Sequence, residues 1–188
     1  MNAALAARTV DICLLPEMEI DIEKVLKHVQ FLMETKGHVV IVVAEGCGDT
    51  LIKGTGETDA GGNKLLADAG LFLKEQITAR FKREGLPLTI KYIDPTYMIR
   101  SVPANAYDSK YCAALAQEAV HAAMAGYTGC IVGKVDERYV MLPTHAITRT
   151  TAKRVNLQGR PFERLLATTG QPNFKPGLGN ESRLAGGP

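Results

Sequence analysis

Two hydrophobic periods alternate along the chain. Residues 10–15 (VDICLL) and 38–44 (HVVIVVA) are nearly continuous in apolar side chains, the pattern of short parallel strands covered on both faces. Between them Ile22, Val25, Leu26, Val29 and Leu32 recur at helical spacing, with acids early and lysine late, as the helix dipole favours. Strand, helix and strand within about thirty-five residues predict a βαβ unit with a right-handed crossover.

Loop 46–62 (GCGDTLIKGTGETDAGG) is too rich in glycine and small polar residues for regular structure. Its end, Gly61-Gly62-Asn63, reads as a turn into a second helix bearing Leu66, Ala69, Leu73, Ile77 and Phe81 on one side. Residues 88–93 (LTIKYI) alternate and predict a third strand. A third helix follows over about 106–125, with Tyr111, Ala114, Leu115, Ala119 and Ala122 inward and Gly126 at its end. CIVG (130–133) and YVML (139–142) flank KVDER, read as a hairpin or as one strand and its extension. Residues 146–155 and 161–166 read as short helical pieces, and 170–188, without periodicity, as a loose tail.

The composition, 46% apolar and 22% charged over 188 residues, supports one globular domain with a real core. A net charge of +2 gives no electrostatic case for nucleic acid or an anionic membrane. The basic cluster at 149–154 reads as a solvated helix face. Cys13, Cys47, Cys112 and Cys130 form no Cys-x-x-Cys pair and read as buried thiols in a reducing compartment. No run approaches 18 apolar residues and the first ten do not resemble a signal peptide, so a cytoplasmic, membrane-free location is expected.

In an open parallel sheet, ligands collect beyond the carboxyl ends of the strands. The expected strands end in Pro16-Glu17, in Glu45-Gly46, and in Asp94 followed by Tyr97 and Arg100. A guanidinium forks onto phosphate, Lys91 adds a second cation, and a carboxylate accepts from sugar hydroxyls. Together they suggest a receptor for a small phosphorylated polyol, with no nucleophile and no histidine–acid pair. Each residue also has a plainer reading: Glu17 as a helix cap, Arg100 as a surface ion pair, Tyr97 packed on the sheet edge, Lys91 simply exposed. His28, His38, His121 and His145 lack metal-ligand spacing. Neither GCGDT nor Gly61-Gly62-Asn63-Lys64 has the spacing of a nucleotide phosphate loop.

The block YIDPTYMIR (92–100), followed by LAQEAVHAAMAGYTG (115–129), resembles the later half of a 6-phosphofructokinase. The likeness is to the plant, protist and spirochaete-like branch, with Thr96 where serine is commoner. LLPE and VVAEG match two further blocks in the family's order, and the resemblance runs over residues 1–172. It implies an α/β fold, a Rossmann-like parallel sheet with flanking helices forming part of a two-lobed phosphofructokinase. Residues 1–100 would be the sugar-phosphate lobe, 101–144 a return segment of the nucleotide lobe, 145–172 a C-terminal helical segment and 173–188 a flexible tail.

By the same resemblance Glu17 binds hydroxyls of fructose 6-phosphate and Arg100 its phosphate. Tyr97, where bacterial relatives carry histidine, lines that site with Met98 and Ile99. Lys91 replaces an arginine that reaches the site from a neighbouring subunit. The family's Gly-Gly-x-x-Gly, Thr-x-Asp-Asn-Asp and Met-Gly-Arg blocks are missing. The expectation is therefore a fragment inactive alone, with no catalytic, nucleotide-binding or metal-binding residue of its own. The complete glycolytic enzyme would be a homo-oligomer, dimer or tetramer, using ATP and Mg²⁺ to convert fructose 6-phosphate to fructose 1,6-bisphosphate. Pyrophosphate as donor, or a noncatalytic sugar-phosphate-binding module, are the other readings.

Overall fold

A computed structural model describes residues 1–47, 51–52, 68–149 and 154–177. Most of loop 46–62, the turn at Gly61-Gly62-Asn63, Leu66 and most of the basic cluster at 149–154 lie outside the described residues.

The chain divides into two compact units, Met1–Tyr92 with Arg154–Pro188, and Ile93–Lys153. The boundaries between these units fall after residues 92 and 153.

In the first unit α1 (Asn2–Ala7) leads into β1 (Ile12–Leu14), α2 (Ile22–Lys36) and β2 (Ile41–Val43). The strands pair in parallel, Ile12 with Ile41 through Leu14 with Val43, so the expected βαβ unit is present. Asp21 caps α2 by accepting from the Glu23 amide at 3.0 Å, and Gly37 ends it at φ 75°, a conformation costly for other residues. Val25, Leu26, Val29 and Leu32 are buried, as their spacing requires. A second helix, α3 (Ala69–Glu84), is capped by Asp68 and buries Ala69, Leu73, Ile77 and Phe81. The unit closes with α6 (Arg160–Thr169), which buries Phe162 and Leu165 in the same core as β1, α2 and α3.

Three expectations change in this unit. β1 is buried throughout, but Val40 and Val42 beside it are 38% and 37% exposed, so β2 is not covered on both faces. Residues 88–93 form no strand among the described residues. Leu86, Leu88 and Ile90 do pack partly against the core while Pro87, Thr89 and Lys91 are exposed. The alternation is therefore real, but a strand also needs a ladder partner, and among the described residues the first unit's sheet holds β1 and β2. The loose tail is corrected as well: Gln171 and Phe174 are 5% and 0% exposed, and the Phe174 carbonyl accepts from the Asp21 amide at 2.8 Å. Residues 178–188 lie outside the described residues.

The second unit contains α4 (Ala106–Met124), β3 (Cys130–Val135), β4 (Arg138–Pro143) and α5 (Thr144–Thr148). Asn105 caps α4 by accepting from the Asp108 amide at 2.8 Å. KVDER is a hairpin: Val135 pairs with Arg138, and Asp136 and Glu137 turn the chain at φ 47° and 65°, the pair of positive values of a type I′ turn. On α4 Ala122 is buried, Tyr111, Ala114 and Leu115 are half-buried, and Ala119 is exposed, contrary to its expected inward face. A two-stranded hairpin with α4 and the five-residue α5 against it is too little to enclose a large core. Accordingly Ile93, Tyr97, Met98, Ile99, Tyr107 and Met124 are each more than 60% exposed. The expected helix over 146–155 is confined, among the described residues, to α5.

Of the cysteines, Cys13 and Cys47 are buried, Cys130 is half-buried and Cys112 is exposed, so uniform burial is not observed.

Candidate functional site

The carboxyl ends of β1 and β2 meet at one edge of the first unit. The Ala44 amide donates to the Leu14 carbonyl at 3.0 Å, carrying the ladder one step past the strands. Just beyond, a Cβ on Gly46 would stand 2.9 Å from Cγ of Pro16, so only glycine allows this approach without displacing the ring. The sequence places Glu17 and Glu45 beside that contact.

Their carboxylates are used differently. Glu17 turns inward: Oε1 accepts from the Val155 amide at 2.9 Å, and Oε2 is buried with no hydrogen-bond partner among the described residues. Glu45 opens a 3₁₀ turn, Glu45–Cys47, closed by the Cys47 amide donating to the Ala44 carbonyl at 2.9 Å, and its side chain is exposed. Burial pushes the Cys47 thiol up to about 11, against the opposing Ala44 hydrogen bond and with reinforcement from Cys13 and Glu17. A thiol held protonated at neutral pH is no nucleophile.

Lys91 is exposed at the end of the extended 86–91 segment. The next residue is anchored: the Tyr92 hydroxyl donates to both carboxylate oxygens of Asp68, at 3.1 and 2.9 Å. The Tyr92 ring lies so close to Gly70 that a Cβ there would stand 2.5 Å from Cε2.

In the second unit, residues 94–101 are organised locally. Asp94 accepts from the Thr96 amide at 2.9 Å and from its hydroxyl. These bonds hold the Asp94 carboxyl below its ordinary value, the hydroxyl contributing most. Thr96 thus supplies the same hydroxyl contact that serine would. The Ile99 amide donates to the Pro95 carbonyl at 3.0 Å, and a 3₁₀ turn, Ile99–Ser101, follows. The Arg100 guanidinium lies 5.4 Å from the Tyr97 ring centroid, within cation–π range. Tyr97, Met98, Ile99 and Arg100 are all exposed.

Of the residues singled out from sequence, then, the structure brings Tyr97 and Arg100 together and ties Glu17 to Val155. Glu17, Glu45 and Lys91 belong to the first unit, and Tyr97, Met98, Ile99 and Arg100 to the second. Sequence reasoning missed Val155 and Gln171 as residues holding this edge. No local pattern marks them, since their partners lie 138 and 158 positions away. Among the described residues no group of three His, Cys, Asp or Glu side chains is placed to hold a metal ion. No helix among them is long and apolar enough to cross a membrane.

Comparison with known proteins places this arrangement in context. The phosphofructokinase family matches residues 1–123. The chain is 46% identical over 179 residues to chloroplastic ATP-dependent 6-phosphofructokinase 5 of Arabidopsis thaliana, covering 93% of this chain and 33% of that protein. An ATP-dependent 6-phosphofructokinase of Amycolatopsis methanolica is 41% identical, covering 98% and 42%, and that of Trypanosoma brucei brucei is 38% identical, covering 98% and 37%. The chain spans between a third and about two fifths of the length of these relatives. Among solved structures, a pyrophosphate-dependent phosphofructokinase from Nitrosospira multiformis superposes with a TM-score of 0.50 at 19% identity, covering 90% of this chain and 44% of that one. At that identity the likeness concerns the fold.

Proposed function

Since the chain belongs to the phosphofructokinase family, we propose that it is the acceptor-holding, C-terminal part of an ATP-dependent 6-phosphofructokinase of the plant and protist type. The observation that carries this reading is similarity along more than nine tenths of the chain to enzymes named for that activity. The complete enzyme acts in the cytoplasm as a homo-oligomer and transfers the γ-phosphoryl of ATP to O1 of fructose 6-phosphate. Such a transfer depends on holding acceptor and donor in line and stabilising the charge on the transferring oxygens. By the resemblance, magnesium and nucleotide are held by the rest of the complete enzyme.

This chain's share is to bind and orient the sugar phosphate. Arg100, already stacked on Tyr97, offers its fork to the phosphate, with Met98 and Ile99 beside it; Lys91, in the first unit, is a second cation by the resemblance alone. The resemblance gave the sugar hydroxyls to Glu17, but its carboxylate is tied to Val155 and turned inward. Glu45 is exposed at the same strand edge and shares the proposed hydroxyl-binding role with Glu17, whose Oε2 has no hydrogen-bond partner among the described residues.

Titration with fructose 6-phosphate, followed by calorimetry, tests the assignment. Glu45→Gln and Arg100→Ala should each weaken binding about tenfold or more, the cost of one charged hydrogen bond. Glu17→Gln should lower the melting temperature with less effect on affinity. A wild-type chain that melts cooperatively yet ignores fructose 6-phosphate would refute the reading. In the full-length enzyme Arg100→Ala should chiefly raise KM for fructose 6-phosphate, and parallel assays with ATP and pyrophosphate identify the donor.

A further inference from the structure

β1 and the loop 15–21, which carries Glu17 and joins β1 to α2, are held by the C-terminal stretch of the first unit at Cys13, Glu17 and Asp21. At Cys13, Gln171 treats β1 as a neighbouring strand would. Its Oε1 accepts from the Cys13 amide at 2.6 Å and its Nε2 donates to the Cys13 carbonyl at 3.2 Å. The alternation of the ladder explains the choice. Ile12 and Leu14 turn their backbone groups toward β2, so those of Cys13 face the other edge, in a fully buried strand. Without Gln171 both groups would be buried and unpaired. In the loop, Glu17 accepts from Val155. At its end, Asp21, the cap of α2, donates its amide to the Phe174 carbonyl.

Gln171 is itself braced, its amide donating to the Thr169 hydroxyl at 3.3 Å. From β1 the contacts run on through Pro16, which sits against Gly46, next to Glu45.

We propose that Gln171 is a positioning residue. By completing the outer edge of β1 it fixes Pro16 against Gly46, and so the direction in which Glu45 is presented. The inference rests on the proposed acceptor role of this edge. Its physical content, a mechanical link from Gln171 to residues 45–47, can be read without any ligand.

The test combines amide hydrogen exchange on the full chain with fructose 6-phosphate titration, for wild type, Gln171→Leu and Gln171→Glu. Leucine fills the space without bonding. Glutamate keeps an acceptor for the Cys13 amide and loses the donor to its carbonyl. In Gln171→Leu, exchange at the amides of Cys13 and of residues 45–47 should rise about tenfold or more, with α4 and the β3–β4 hairpin unchanged. Affinity for fructose 6-phosphate should fall in parallel, and Gln171→Glu should lie between leucine and wild type in both readouts. Faster exchange at Cys13 with residues 45–47 unaffected overturns the link. If Gln171→Leu does not fold, the same comparison between Gln171→Glu and wild type decides it. If the variants show the exchange pattern but wild type binds no fructose 6-phosphate, the acceptor assignment fails while the mechanical link stands.

Discussion

The buried carboxylate of Asp11 accepts from the Lys36 ammonium at 2.7 Å through one oxygen and from the Val40 amide at 2.8 Å through the other. One side chain thereby ties the entry of β1 to the last turn of α2 and to the entry of β2. Burial pushes the Asp11 carboxyl up, but the Lys36 hydrogen bond, the Val40 amide and the charges of Lys36 and His38 together outweigh it, leaving the value below the ordinary one. A carboxyl with a depressed folded-state pKa contributes stability that is present above its unfolded value, about 3.9. That stability is lost as pH falls through the lower folded value. Asp11→Ala, which leaves the Val40 amide unpaired, should cost about 1–3 kcal/mol at neutral pH. Urea unfolding across the acid range should show the wild-type advantage shrinking below about pH 4.

His28 behaves oppositely to an exposed imidazole. It sits on α2 between Phe31 and Phe174, at centroid distances of 6.1 and 6.0 Å. Its Nε2 is buried without a hydrogen-bond partner among the described residues. Burial lowers its pKa, against an opposing pull from Asp11 and with help from the charge of Lys36. The unfolded chain takes up a proton near pH 6.5 and the folded chain resists it, so stability should fall as pH drops from about 6.5 toward the lower folded value. His28→Leu should flatten that dependence. Equal slopes for the two proteins in chemical melts at about pH 5.5 and 7.5 would remove His28 as its source.

Phe174 is wholly buried in a stretch that the sequence offered as a tail. Truncation to alanine should cost about 3–5 kcal/mol, as for other buried phenylalanines. A Phe174→Ala chain whose cooperative melt moves by less than a degree or two would mean that this segment does not belong to the core.

These cases show what was legible in the sequence. Val25, Leu26, Val29 and Leu32 could be read because burial acts through one helix face, and the period of a helix is local. The pairing of Tyr97 with Arg100 lies within three positions and belongs to a motif that could be recognised whole. Residues 88–93 were half legible: their alternation survives as the partial burial of Leu88 and Ile90, but no property of LTIKYI specifies whether a ladder partner is in reach. Phe174 and Gln171 carried no periodicity at all. Their placement is set by contacts with residues 21 and 13, more than a hundred and fifty positions away.

The candidate site divides on the same ground. A glutamate following a strand can face inward or outward, and the sequence does not say which. For Glu17 the answer depends on an amide 138 residues further on. For Glu45 it depends on a tight turn that begins at the residue itself.

Gly46 tests whether the edge is as closely built as described. A methyl group there would meet the Pro16 ring at 2.9 and 3.1 Å, closer than carbon atoms pack without repulsion. The ring closes on itself and leaves proline no flexible end to swing aside, so relief must come from the backbone at 16 or 46. Gly46→Ala should therefore destabilise the chain by about 1–3 kcal/mol, the usual range for overpacking, although alanine ordinarily stabilises by restricting the unfolded chain. Because Pro16 precedes Glu17 and Gly46 follows Glu45, the proposed acceptor role predicts that the displacement also weakens fructose 6-phosphate binding, whereas Gly37→Ala, in open space at the end of α2, should affect stability alone. A Gly46→Ala chain that melts at or above the wild-type temperature would show that β1 and β2 do not end in contact.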